Sequence, residues 1–259
     1  MSTPIIVMGV AGRMGSTVAR LVGEAGDLTL AAVAERPGVD LSRLGYGCLT
    51  ANSIEELLPR CPRAVVVDFT SPEASLATAG SAVRHGNPVV IGTTGFSPGQ
   101  RGELEEYARV SPLFWSPNMS VGVNVLLQVL PELTRLLGGS YDVDIVELHH
   151  SRKKDAPSGT ALRLAECVAG AKGWNLAETG RYHREGITGE RPEREIGVQT
   201  VRGGDIVGVH TVYFMGPGER IELTHQAHSR ENFAQGALRA ARWMTDARPG
   251  KLYTMHDVL

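Results

Sequence analysis

Residues 147–161 read Glu-Leu-His-His-Ser-Arg-Lys-Lys-Asp-Ala-Pro-Ser-Gly-Thr-Ala, and no other stretch of the chain concentrates as much chemistry. His149 and His150 contribute two imidazoles. Arg152, Lys153 and Lys154 add three cations. Asp155 or Ser158, with Pro157 and Gly159, marks a helix start, whose first N–H groups and positive dipole end suit a carboxylate or phosphate. Such a segment can hold an anion and deliver a proton to it. A single strand histidine is usually structural and a basic run is usually solvated; the clustering of both beside a helix N-terminus is what points to a site. If both histidines lie in a strand they face opposite ways and cannot chelate one ion together. No cysteine or acidic cluster completes a metal centre, and no metal is expected.

A second candidate lies at the N-terminus. Gly9-Val10-Ala11-Gly12-Arg13-Met14-Gly15 follows an apolar run, Ile5–Met8, and opens a helical pattern, Met14–Gly23. Glycines there let the backbone turn tightly and approach a pyrophosphate, whose charge the helix N-terminus stabilises. The spacing is G-x-x-G-x-x-G, so the motif draws its weight from context. Glu35 ends the second strand-like run, where an acid can bond the adenosine ribose hydroxyls. Arg36 follows and suits a 2′-phosphate. Gly92-Thr93-Thr94-Gly95 follows a further short apolar run, at the sheet edge where ligands bind in open α/β folds, although taken alone it reads as a plain turn, and Ser116-Pro117-Asn118-Met119 follows the next run, where the character of the chain changes. The latter lines the cofactor cleft or acts as a hinge.

The elements that must carry these segments alternate in the first half. Strand-like runs at Ile5–Met8, Leu28–Ala34, Ala64–Phe69, Pro88–Ile91 and Leu113–Trp115 are separated by helical patterns, including Pro72–Arg84 and Glu103–Arg109. Continuous apolar strands alternating with helices imply a parallel sheet covered on both faces. Beyond Asn118 the character changes. A long helix is expected over Val121–Leu137, a strand over Tyr141–Leu148, and a helix over Ala161–Val168. Three strand-like runs follow, Glu195–Arg202, Ile206–Met215 and Arg220–Gln226, joined by Gly203-Gly204-Asp205 and Gly216-Pro217-Gly218 as turns. They predict a meander-like, mixed but largely antiparallel sheet. Trp174–Pro192 reads as a surface loop and Asn232–Met244 as a closing helix.

With 259 residues, 42 % of them hydrophobic and 21 % charged, the chain is an ordinary globular one with room for one large domain or two modest ones. A net charge of −2 gives no general pull toward nucleic acid or membrane. Three widely spaced cysteines fit a reducing cytoplasm better than a disulfide framework. The N-terminus lacks the basic and apolar regions of a signal peptide.

The run His149–Ala161 closely resembles the signature of the dihydrodipicolinate reductase family, also called 4-hydroxy-tetrahydrodipicolinate reductase. The resemblance extends over essentially the whole chain. It includes the Gly9–Gly15 loop, Asp68-Phe69-Thr70, Gly92–Gly95, 118–124, 202–208, 218–225 and the ending 253–259. It implies a Rossmann-type dinucleotide-binding domain, 1–119 with 231–259, and a substrate-binding and oligomerisation domain of α+β type, 120–230. It implies hydride transfer from NADPH or NADH to a cyclic dicarboxylic imine in lysine and diaminopimelate biosynthesis, by a cytoplasmic homotetramer acting on a small molecule. By motif match His149 is the catalytic acid/base and Lys153 the proton donor. His150, Gly159 and Thr160 match substrate positions. Gly9, Val10, Ala11, Gly12, Arg13, Met14, Glu35, Arg36, Gly92, Thr93, Thr94, Ser116, Pro117, Asn118 and Met119 match cofactor contacts. Ser151 and Arg152 depart from the family's basic and histidine residues, and Val209 stands where glutamate is frequent. The competing readings are a related oxidoreductase of an amino or imino acid such as an aspartate dehydrogenase, a non-catalytic NAD(P)-binding sensor, and a nucleic-acid module using the basic run.

Overall fold

Each apolar run of the first half becomes a strand and each amphipathic one a helix. The computed structural model describes residues 2–259. In chain order it holds β1 (Thr3–Met8), α1 (Arg13–Glu24), β2 (Leu28–Ala34), β3 (Leu49–Ala51), α2 (Ile54–Leu57), β4 (Val65–Asp68), α3 (Pro72–His85), β5 (Val89–Ile91), α4 (Pro98–Val110) and β6 (Leu113–Trp115). There follow α5 (Val121–Leu137), β7 (Asp142–His149), α6 (Gly159–Lys172), α7 (Leu176–Thr179), β8 (Gly180–Arg181), β9 (Ile196–Arg202), β10 (Gly208–Gly216) and β11 (Glu219–Ala227). The chain closes with α8 (Glu231–Met244), β12 (Leu252–Tyr253) and α9 (Met255–Val258). Contacts divide it into two units, one running to Val121 and rejoined by Glu231–Leu259, the other Gly122–Arg230.

The first unit is a seven-stranded sheet in the order β12-β6-β5-β4-β1-β2-β3, parallel throughout. The switch in order falls at β1 and β4, where open α/β folds place their ligands. Successive residues of β1 enter opposite cores. Ile5 and Val7 pack on the side of α1 and α8, while Ile6 packs on the side of α3 and α4. Every residue of β4 is buried, which is why its sequence is an unbroken apolar run ending in Asp68. Two short edge strands, β3 and β12, extend the sheet beyond the strands expected from sequence. Their two or three residues are too few to show a period.

The second unit is a five-stranded mixed sheet, β11-β10-β7-β9-β8. β10 is antiparallel to both β7 and β11, whereas β9 runs parallel to β7 and to β8. The sheet is mixed as expected, but the meander is corrected: β7 lies between β9 and β10. The Gly203–Ile206 turn does not fold β9 back onto β10, because its backbone bonds the end of β7 instead. Gly203 N–H donates to His149 O at 2.9 Å, His150 N–H to Ile206 O at 2.8 Å, and Ser151 N–H to Gly204 O at 3.2 Å. The Trp174–Pro192 segment is also corrected. It contains α7, capped by Asn175, and the edge strand β8. Its remainder is tied down by Arg184 and Arg191 on Asp144 and Glu195.

One face of this sheet carries Val143, Ile145, Val198, Val212 and Phe214 into a core with Leu164, Ala165 and Val168 of α6. The other face holds Val146, Leu148, Val201 and Val209, none of them fully buried.

Candidate active site

In the first unit, β1 delivers the chain to Gly9, which takes φ 64°. Gly12 N–H returns to Gly9 O at 2.9 Å, closing the loop. α1 then starts with no side-chain cap and no acid in its first turn. Its dipole end therefore faces whatever anion the loop admits. A Cβ on Gly12 would stand 3.1 Å from Gly9 O, and one on Gly15 only 2.1 Å from it, so the helix can lie against the loop only with glycine there. At the end of β2, Glu35 accepts Ala11 N–H at 2.9 Å and Arg36 N–H at 3.0 Å. Asn52 pins the same turn by donating to Arg36 O and Val39 O at 3.0 and 3.1 Å. The Arg36 side chain is exposed beside it. These features fit a dinucleotide: a glycine cradle, an uncapped helix and an acid placed for ribose hydroxyls.

The other two segments expected to meet a cofactor are held from below. Asp68 is fully buried, and its Oδ1 accepts from Thr70 N–H at 2.8 Å, Thr70 Oγ1 at 2.6 Å and Ser75 Oγ at 3.0 Å. Burial pushes its carboxyl above the usual range. Ser75 Oγ is 2.7 Å from Thr93 Oγ1, and Trp115 Nε1 donates to Thr93 O at 3.0 Å. A Cβ on Gly92 would meet the Phe69 ring at 2.0 Å. Ser116 Oγ donates to Asn118 O at 2.7 Å, and Met119 is buried. The structure thus gathers Gly9–Met14, Glu35, Arg36, Gly92–Thr94 and Ser116–Met119 in one unit, at the carboxyl ends of its strands. Asn52, Ser75 and Trp115, which hold these segments, had no motif to announce them.

In the second unit the histidine segment sits where β7 ends. Inward positions of β7 alternate as Val143, Ile145, Glu147 and His149. His149 is 9 % exposed, and its Nδ1 lies 2.5 Å from Glu147 Oε2. Gly208 leaves room for the ring: a Cβ there would be 3.0 Å from His149 Nε2. Burial lowers the pKa of His149, and Glu147 partly opposes that shift. His150 follows the strand, half-buried, with its Nδ1 enclosed and lacking a hydrogen-bond partner. Lys153 N–H closes the turn on His150 O at 3.1 Å, and its Nζ pairs with Asp155 at 2.8 Å. That pairing holds the Asp155 carboxyl below its ordinary range.

Of the two expected helix caps, Ser158 is the one used, its Oγ accepting Ala161 N–H at 3.1 Å. Gly159 begins α6, exposed, with open space around it, and Thr160 follows. The segment therefore brings His149, His150, Lys153, Gly159 and Thr160 onto one strand–loop–helix connection. Chemically, it offers an imidazole and an ammonium as proton groups beside an anion-attracting helix end.

Glu147, Arg202 and His210 complete this arrangement and were not foreseen. Arg202 forks onto Glu147 with both nitrogens at 2.8 Å. His210 Nε2 lies 2.9 Å from Ser158 Oγ, and its ring meets that of His149 edge-on at 5.1 Å. Glu147 did carry a signal: a charge two residues before His149, on the inward side of a strand. Arg202 and His210 come from β9 and β10, and only strand register brings them here.

The sequence profiles of two domains match the chain, "Dihydrodipicolinate reductase, N-terminus" over residues 3–119 and "Dihydrodipicolinate reductase, C-terminus" over residues 122–259. The 4-hydroxy-tetrahydrodipicolinate reductase of Nitratidesulfovibrio vulgaris is 66 % identical over 258 residues, covering 100 % of both chains. That of Oleidesulfovibrio alaskensis is 61 % identical over 259 residues, again with complete coverage of both. Among solved structures, a dipicolinate-bound dihydrodipicolinate reductase from Paenisporosarcina sp. TG-14 shares the fold with a TM-score of 0.80, at 24 % identity and 100 % coverage of each chain.

Proposed function

The chain belongs to the dihydrodipicolinate reductase family, and on that premise we propose how its residues carry out the reduction of 4-hydroxy-tetrahydrodipicolinate by NADPH or NADH. The reaction is an oxidoreduction in lysine and diaminopimelate biosynthesis. The observation that carries the reading is the placement of His149 and Lys153 beside the N-terminus of α6.

The dinucleotide, when bound, supplies the hydride. Gly9–Met14 and the start of α1 hold its pyrophosphate, Glu35 its adenosine ribose, and Gly92–Thr94 with Ser116–Met119 its remaining contacts. Arg36 faces a 2′-phosphate, so both cofactors are used with modest discrimination.

The substrate is a dicarboxylate. The first-turn N–H groups at Gly159 and Thr160 receive one carboxylate, aided by the helix dipole, and His150 contributes to the same pocket. Hydride addition to a conjugated imine leaves negative charge that a proton must quench. Lys153 delivers that proton from Nζ, and His149 acts as acid/base. Asp155, 61 % exposed, steadies a lysine side chain that is itself 20 % exposed.

Assembly and setting follow the family. The half-exposed apolar face formed by Val146, Leu148, Val201 and Val209 supports a homotetramer built through this sheet. Light scattering that found a stable monomer at micromolar concentration would overturn it. The three cysteines are all free, which supports a reducing cytoplasm. Neither nucleic acid nor membrane is a partner, a reading supported by the net charge of −2.

The decisive assay follows nicotinamide absorbance as the protein reduces the condensation product of pyruvate and aspartate semialdehyde. Turnover is expected with both NADPH and NADH. No turnover with either, from a protein that binds the dinucleotide, would refute the assignment.

A further inference from the structure

Glu147 is a fully buried carboxylate to which the reaction above gives no task. Its two oxygens collect contacts from three parts of the fold. Oε2 takes His149 Nδ1 at 2.5 Å and Arg202 Nη1 at 2.8 Å. Oε1 takes Ser158 N–H at 2.9 Å, Thr200 Oγ1 at 3.1 Å and Arg202 Nη2 at 2.8 Å. We propose that Glu147 is the positioning residue of this site: it holds His149 in the tautomer protonated on Nδ1 and ties that ring to the N-terminus of α6. The inference rests on His149 being the acid/base.

The argument begins with charge. A buried carboxylate is costly unless it is paired and its lone pairs are filled. Arg202 approaches in the planar fork that suits a carboxylate. Burial alone would raise the pKa of Glu147, but Arg202, His149 and the Ser158 N–H outweigh it and hold the group down to about 2. An ionised carboxylate only accepts hydrogen bonds, so Nδ1 of His149 must be the donor. In the neutral ring the lone pair is then on Nε2, the atom left to exchange a proton. The same tautomer logic governs histidines elsewhere that lean on a carboxylate.

The geometry also couples two functions. One carboxylate oxygen holds the catalytic ring and the other holds the amide of the residue that caps α6. Arg202 extends the link to the loop, its Nη2 reaching Asp155 O at 2.7 Å. A displaced Glu147 would thus disturb the proton group and the anion site together. The charges around His149 further assign its role. Lys153 on the loop and Arg202 on β9 disfavour the imidazolium, as does burial. His210 on β10 is edge-on to the ring, and His225 of β11 pairs with His210 across the sheet. His210 is itself driven down to about 4, so it stays neutral. Glu147 is the facing group that favours the imidazolium.

The test is Glu147→Gln, read by nitrogen NMR of His149 and by the pH profile of turnover. The wild type should show His149 protonated on Nδ1. In Glu147→Gln the carboxamide can donate to the ring, so the Nε2–H tautomer should gain population and the His149 pKa should fall by a unit or more. The basic limb of kcat/KM should move down with it, and turnover at neutral pH should drop at least tenfold with unchanged dinucleotide affinity. If Glu147→Gln does not fold, Glu147→Asp serves. The shorter side chain draws the carboxylate back from Nδ1, so the Nε2–H tautomer should again gain population and the His149 pKa should again fall. An unchanged tautomer and pKa in a folded variant would overturn the inference, whatever happens to thermal stability. A shifted tautomer with normal turnover at every pH would uphold the positioning by Glu147 and instead remove His149 as acid/base.

Discussion

Replacing Gly15 by alanine adds one methyl group where the dinucleotide loop meets its helix. The new Cβ would lie 2.1 Å from Gly9 O, 2.6 Å from Gly9 C and 2.9 Å from Val10 Cα. Ordinary contact begins near 3.4 Å, so the loop and α1 must separate by about 1.3 Å. All three neighbours are backbone atoms of the phosphate loop, and no side chain can swing aside. Overpacking of this kind costs about 1–3 kcal/mol. Alanine returns about 1 kcal/mol through its better helix propensity, so a net loss of up to about 2 kcal/mol should remain. Binding should change much more, because the displaced atoms are those we propose to meet the pyrophosphate. A shift of an ångström there should weaken NADPH and NADH binding by about 10- to 100-fold, or about 1.4–2.7 kcal/mol. Gly23→Ala in the same helix is the control: nothing lies within 4 Å of its added Cβ. It should gain stability by up to about 1 kcal/mol and bind normally. The assay is a fluorescence titration of each folded variant with NADPH and NADH. Binding by Gly15→Ala within twofold of wild type would refute the placement of the pyrophosphate at this loop.

Lys153→Met and His149→Ala should each lower kcat by about two orders of magnitude, the usual scale for a positioned acid, and the double variant should be far less than multiplicatively worse. Lys153→Met strands only an exposed Asp155, so its melting curve should nearly match the wild type. Arg36→Ala should weaken NADPH much more than NADH in the same titration; equal losses would remove Arg36 from the phosphate site. Gly159→Val should raise the substrate KM with dinucleotide affinity intact, because open space for a ligand surrounds Gly159 in the second unit; collapse of NADPH binding in a folded protein would contradict this division. Acid should weaken the fold through His210. Its folded pKa, about 4, lies below the unfolded 6.5, so its contribution is whole above pH 6.5 and is lost as pH falls to about 4. That loss amounts to about 3 kcal/mol, with His149 adding in the same direction. Denaturant titrations across this range should show the slope, and His210→Gln should flatten it.

The sequence alone determined the parts whose physics is local. The period of apolar residues placed β2, β6 and α5 to the residue, because burial on one or both faces leaves its mark on every position of an element. The glycine loop and the His149–Ala161 run were legible because a tight turn, a helix start and a proton group each demand particular residue types next to one another. Tertiary structure alone decided what depends on partners distant in the chain. β7 takes its place between β9 and β10 because the Gly203–Ile206 backbone is spent on the end of β7, an outcome no turn signal encodes. β3, β8 and β12 are two or three residues long and exist only because a longer edge offers them hydrogen bonds. In the site, His149 and Lys153 could be named from sequence, but not the state they are held in. Glu147 lies two positions away, yet its charge is sustained by Arg202, 55 residues further along, and Ser158 is met by His210 from another strand. A chain's spacing shows which groups are present; the register of its strands, set by packing over the whole sheet, decides which of them share a proton.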